Sequence, residues 1–231
     1  MLFDLRGRGR RRAIQVIYLT LALLMGGGLI FFGIGGNTSG GLFNAFNGNG
    51  SSTSADKVFE QRVTALEKRT QVNPRDAAAW VGLAKLHFQL AGGGGNFDQT
   101  QQAYTDKGRA ELRRAASAWD RYLALSPPKP DASVAVLMTQ ALGPGGLGAY
   151  DKAVRAMEIV IDSRPPSYAL YGQLSLLAHA AKQDRKSTLA EDKAVELAPK
   201  GQGKNVRASI DQAKTQLDQQ SAAQPVQPQS G

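Results

Sequence analysis

The sequence predicts an all-α protein, a helical-hairpin repeat solenoid preceded by a single transmembrane helix. Between residues 56 and 220 apolar residues recur at three- and four-residue intervals, the spacing of one helix face, and no stretch shows the strict alternation of a half-buried strand. Pro74, Pro127, Pro165 and Pro199 each close an amphipathic segment of similar design, at separations of 53, 38 and 34 residues. Self-similarity at such intervals marks stacked repeats, each burying its apolar face against the next. Ahead of them, residues 13–34 run for 22 positions without a charge.

That run is long enough to cross a hydrocarbon core of about 30 Å at about 1.5 Å per residue. Twelve of its 22 residues are Leu, Ile, Val or Phe, which favour the bilayer centre. A cleavable secretory signal would want a shorter apolar stretch and a small-residue cleavage site, and no A-x-A follows this one. The Arg11-Arg12 pair lacks the rest of a twin-arginine signal. Arg6, Arg8, Arg10, Arg11 and Arg12 precede the span and no basic residue follows it before Lys57. Because flanking cations are retained in the cytoplasm, residues 1–12 are expected there as a basic segment against anionic lipid headgroups. The remainder is then extracytoplasmic, making the chain a single-pass cell-membrane protein. Ala22, Gly26 and Gly33 share one face of the span and would admit a second helix closely, as in a homodimer.

Composition narrows the function. Of the formal net charge of +9, five arginines against Asp4 in the first twelve residues account for four. The 23 basic and 18 acidic residues of 51–231 are too evenly mixed for a nucleic-acid binder. With no cysteine, thiolate catalysis, disulfides and cysteine metal sites are excluded. Only His87 and His179 are present, so a histidine-rich metal site is excluded too. Residues 35–55 are dominated by Gly, Asn and Ser and predict a flexible linker interrupted by Leu42, Phe43 and Phe46. Residues 221–231, uncharged with two prolines, predict a disordered tail.

Within 56–220, first-helix segments carry Trp80, Leu83, Ala84 and His87, then Val134, Leu137, Met138 and Ala141, then Tyr171, Leu174, Ser175 and Ala178. Second-helix segments carry Ala115 and Trp119, Ala153 and Met157, and Ser187 and Glu191, the later residue always eight positions before the closing proline. Gly148-Ala-Tyr150-Asp-Lys-Ala153 opens the middle second helix. Over residues 56–200 this pattern resembles the tetratricopeptide repeat family, with its W-x2-L-G-x2-Y, A-x3-F and closing proline. It departs where Glu191 replaces an aromatic residue. About 19 extra residues around Gly92–Gly95 and Gln99–Lys107 predict a lengthened loop or an extended second helix. Small residues at Ala84, Ala115 and Ala153 allow close helix approach. Three helix pairs are about the minimum for a stable stack, so segments 56–72 and 205–220 are expected to cap its ends.

Members of the family hold an extended peptide or a partner helix in a concave groove lined by the first helices. The resemblance implies groove-facing positions at Val81, Lys85 and Phe88, at Ala135, Thr139 and Leu142, and at Gly172, Leu176 and His179. Members that grip a carboxylate tail use several Lys, Arg and Asn residues there, and this chain offers Lys85 alone. Gly143-Pro-Gly145-Gly-Leu-Gly148 satisfies G-x-G-x-x-G but follows a helical segment rather than the strand a dinucleotide site needs, so it predicts an inter-helix loop. His87 stands where the family has a packing tyrosine, and Glu191-Asp192 beside Lys186 and Lys193 predicts a solvated face.

The expectation is a membrane-anchored scaffold without enzymatic activity or cofactor, binding a protein or peptide partner in envelope assembly, secretion or quality control. The alternative is an accessory subunit of a membrane complex such as the secretion translocon, associating through its transmembrane helix. An unrecognised catalytic domain is a third possibility.

Overall fold

Four helix starts are set by a side chain accepting a backbone N–H of the first turn, which satisfies an otherwise orphaned donor. Asp76 accepts from Ala79, Thr105 from Gly108, Asp131 from Ser133 and Val134, and Ser167 from Leu170. The computed structural model describes the backbone of residues 52–223 and the side chains of residues 58–220. The expected span 13–34, its contact face at Ala22, Gly26 and Gly33, the basic segment 1–12, residues 35–51 and residues 224–231 lie outside the described residues. Among the described residues no helix is long and apolar enough to cross a membrane.

The chain forms α1 (Ser52–Val72), α2 (Ala77–Gly92), β1 (Phe97–Asp98), β2 (Ala103–Tyr104), α3 (Asp106–Ala124), α4 (Ala132–Leu142), α5 (Tyr150–Asp162), α6 (Tyr168–Ala180), α7 (Asp184–Glu196) and α8 (Gly203–Ala223). Helices α2 and α3, α4 and α5, and α6 and α7 pack as pairs, and α3, α5 and α7 each also pack on the following α4, α6 and α8. Helix α1 packs on α2 in the same way, so it takes the place of a preceding second helix. Helix α8 packs on both α6 and α7, the place of a following first helix. The all-α repeat expectation therefore holds, with a half-repeat at each end. Helix α1 begins at Ser52, inside the expected linker, and α8 runs to Ala223, past the expected start of the tail.

One core runs through α2 to α7, with Leu112, Trp119, Val134, Met138, Leu142, Val154 and Met157 fully buried. All six second-helix positions in the fixed phase before the prolines are buried: Ala115, Trp119, Ala153, Met157, Ser187 and Glu191. Ala84 is also fully buried, while Trp80 and Tyr171 are half-buried against the core. The Tyr122 phenol oxygen accepts the Asp131 N–H at 2.9 Å, tying the end of α3 to the start of α4. At Gly82 a β-carbon would fall 2.8 Å from Leu66 Cδ1, so the missing side chain leaves room for Leu66 of α1 against α2.

The insertion in the first pair resolves into both expected forms. Helix α3 has 19 residues against 13 in α5 and α7. Before it, β1 and β2 pair antiparallel, with Phe97 opposite Tyr104 and their rings edge-to-face at 5.1 Å. Asp98 Oδ1 closes the turn by accepting the N–H groups of Thr100 and Gln101. These strands correct the purely helical expectation, since two residues are too few for an alternating pattern to register. Gly143–Gly148 connects α4 to α5, a loop between helices as expected.

Candidate functional site

The helix caps set the register of the first-helix surface. Asp76, Asp131 and Ser167 stand at the same position before α2, α4 and α6, which aligns Trp80 with Ala135 and Tyr171. Counting six residues from each closing proline, the distance from Pro74 to Trp80 and from Pro165 to Tyr171, aligns Ser133 instead, two residues short, and the repeat pattern of the sequence aligned Val134, one residue short. The connection from Pro127 to Asp131 is two residues longer than those from Pro74 to Asp76 and Pro165 to Ser167. In the capped register the buried sets coincide: Leu83, Ala84 and His87 of α2 match Met138, Thr139 and Leu142 of α4 and Leu174, Ser175 and Ala178 of α6.

Three of the expected groove residues are therefore corrected. Ala135, Thr139 and Leu142 are buried in the core, and the Thr139 hydroxyl donates to the Ala135 carbonyl at 2.9 Å. One position on, Val136 and Gln140 are both half-buried. In α2, Val81, Lys85 and Phe88 are half-buried, and Lys85 Nζ reaches the Asp131 carboxylate of α4 at 3.4 Å. The one cation of the surface is thus engaged within it. In α6, Leu176 is half-buried, but α8 meets the two residues either side. Ile210 Cδ1 lies 3.7 Å from where a Gly172 β-carbon would be, and His179 Nε2 is 3.0 Å from Asp218. The open stripe is Val81, Phe88, Val136, Gln140 and Leu176, mostly apolar.

A second concavity opens at the other end, a cleft of about 470 Å³ bounded by α1, the end of α2, the loop after it and α3. Phe59, Val63 and Leu90 supply its apolar wall and His87, Asn96, Glu111 and Arg114 its polar one. His87 is 5% exposed, as a packing residue would be. Its Nδ1 lies 2.7 Å from Glu111 Oε2, and Arg114 bonds the other carboxylate oxygen. The carboxylate on Nδ1 holds the imidazole ring in place at the cleft wall. Its Thr64 hydroxyl donates to the Glu60 carbonyl. The Glu111 partnership was hidden in the sequence because His87 and Glu111 are 24 residues apart, across the hairpin.

The expected solvated face around Glu191 is also corrected. Glu191 is 6% exposed, and its two carboxylate oxygens accept from Arg207 Nη1 and Lys214 Nζ of α8, each at 2.5 Å. Lys186 pairs instead with Glu158, and Lys193 with Glu196. Arg207 also reaches Asp192 at 2.7 Å.

Two caps have depressed carboxyl pKa values. The Ala79 N–H and the Arg69 guanidinium hold Asp76 below its ordinary value. Burial alone would raise Asp131, but the Ser133 hydroxyl, the Val134 N–H and Lys85 together hold it lower. Among the described residues no group of three or more His, Cys, Asp or Glu side chains is arranged to hold a metal ion. Comparison with protein-family models, with curated proteins and with solved structures gives no match.

Proposed function

We propose that this chain is a membrane-anchored scaffold of the tetratricopeptide type, which holds a protein or peptide partner along the open stripe of its first helices. The single observation that carries the reading is that stripe. Val81, Phe88, Val136 and Leu176 leave apolar surface half-open on three consecutive first helices, where an apolar side chain of a ligand gains burial at about 25 cal/mol per Å². The repeat pattern of the sequence and the three stacked pairs with half-repeat ends support the family reading. The uncharged run 13–34 after five arginines supports a cytoplasmic N-terminus, and with it a role in envelope assembly, secretion or quality control. On this reading the chain is not an enzyme and carries no cofactor.

Site-specific photo-crosslinking in intact cells tests it. A photoreactive residue at Val136 or Gln140 is expected to trap a discrete partner that one at Arg155, exposed on the second helix α5, does not. Identical adducts from both faces would overturn the reading. Adducts abolished instead by polar substitution of Ala22, Gly26 and Gly33 would transfer it to association through the membrane span.

A further inference from the structure

We propose that the α6–α7 end of the array is a docking site for a cationic amphipathic helix of a partner protein, and that α8 occupies it as an intramolecular stand-in. The proposal deepens the scaffold reading and rests on it. It starts from Glu191, which stands in the slot filled by Trp119 and Met157 in the two preceding pairs and is buried like them. A carboxylate taken out of water is strongly penalised unless it is paired and hydrogen-bonded. Every ion pair to Glu191 among the described residues comes from α8, one cation to each oxygen. The site therefore demands an occupant with two cations seven residues apart. Two helical turns of about 3.6 residues keep such a pair on one side.

The apolar part of the contact is shallow. Among the described side chains of α8 only Ile210 is a buried hydrophobic residue, with Val206, Ala213 and Leu217 half-buried along the same face. Beneath them lies α6, whose Gly172 presents no side chain to Ile210. The remaining anchors join groups open to solvent: Arg207 with Asp192, and Asp218 with His179 and Lys182. Exposed pairs contribute little and are screened by salt. What α8 offers is thus specificity through Glu191 more than a large buried interface.

Helix α8 also repeats the first-helix register. Counted from Gln202, Val206, Ser209, Ile210 and Ala213 stand where Trp80, Leu83, Ala84 and His87 stand after Asp76. A partner helix laid here continues the array. Its pattern is that of the occupant: apolar residues at i, i+4, i+7 and i+11, with cations at i+1 and i+8.

The test uses the full chain and a fluorescent peptide of residues 203–223, read by anisotropy. Ile210→Ala in the chain weakens α8 while leaving Glu191 paired, so the peptide is expected to bind this variant at least tenfold more tightly than the wild type. A peptide carrying Arg207→Gln and Lys214→Gln is expected to lose at least tenfold in affinity. Glu191→Gln in the Ile210→Ala chain should erase the difference between the two peptides, which a merely structural helix would not do. Equal affinity for the two peptides, or no binding of either, would overturn the proposal. If Ile210→Ala does not fold, Val206→Ala serves in its place. Peptide binding that fails while crosslinking from Val136 persists removes this inference alone, whereas loss of crosslinking removes the scaffold reading.

Discussion

Asp131 shows how much one residue sets in this fold. It caps α4, receives Lys85 from α2, and donates its N–H to Tyr122 of α3. Replacing an N-cap aspartate with alanine costs about 1 kcal/mol, and Asp131→Ala is expected to lower the unfolding free energy by about that amount in urea titrations at pH 7. The acid dependence has a definite sign. The folded carboxyl has a lower pKa than the ordinary 3.8, so the unfolded chain binds more protons in that range and stability rises with pH through it. The contribution is complete above 3.8 and is lost as pH falls through the folded value, so the gap between wild type and Asp131→Ala should narrow below pH 3.8. A gap unchanged down to pH 2 would show that the charge contributes nothing. The caps at Asp76, Asp131 and Ser167 came to light only in the structure, where each side chain accepts an N–H of the first helical turn. Matching the repeat pattern without those caps set α4 one residue short, and with it the positions expected to face a groove at Ala135, Thr139 and Leu142.

At the scale of elements, the hairpin between α2 and α3 depends on a close approach. A β-carbon on Gly108 would lie 2.1 Å from the Asn96 carbonyl oxygen. That oxygen accepts both the Thr105 N–H and the Thr105 hydroxyl. Neither backbone can yield without opening the base of the hairpin, so Gly108→Ala is expected to destabilise the protein by about 1–3 kcal/mol. Gly92, where a β-carbon would meet nothing within 4 Å, provides the control, and Gly92→Ala should stay within about 0.5 kcal/mol of the wild type. Thermal melts that do not separate the two variants would refute the close-packed hairpin base. The extra length of the insertion was plain from the proline spacing. Its pairing was not, because two-residue strands are specified by what they meet.

Across the whole molecule, the half-repeats explain how a stack of three pairs stops. The exposed residues of α1 include Gln61, Arg62, Glu67 and Lys68 beside Val58 and Val72, and those of α8 include Asn205, Asp211, Gln212 and Thr215, so both faces are mostly polar. Polar outer faces on terminal units keep a repeat array from growing end to end. The proposed side of the membrane belongs to this scale as well. Ser221→Cys would introduce the chain's one thiol, and a membrane-impermeant thiol reagent is expected to label it in intact cells. Labelling only after lysis would reverse the proposed orientation and move the search for partners to the cytoplasm.

The sequence by itself determined the helical class, the number of pairs and the phase of the second helices, because these follow from local periodicity and from prolines that end each unit. Trp119 and Met157 are core residues on that argument alone. Tertiary structure decided the rest: that Thr139 and Leu142 turn inward, that His87 pairs with Glu111, and that α8 closes over Gly172 and His179. Glu191 marks the boundary between the two. Its position was evident from the repeat phase, but a carboxylate there is stable only because α8, 16 and 23 residues further on, returns with Arg207 and Lys214. Burial of a charge is decided by what surrounds it in space, and no local pattern carries that information.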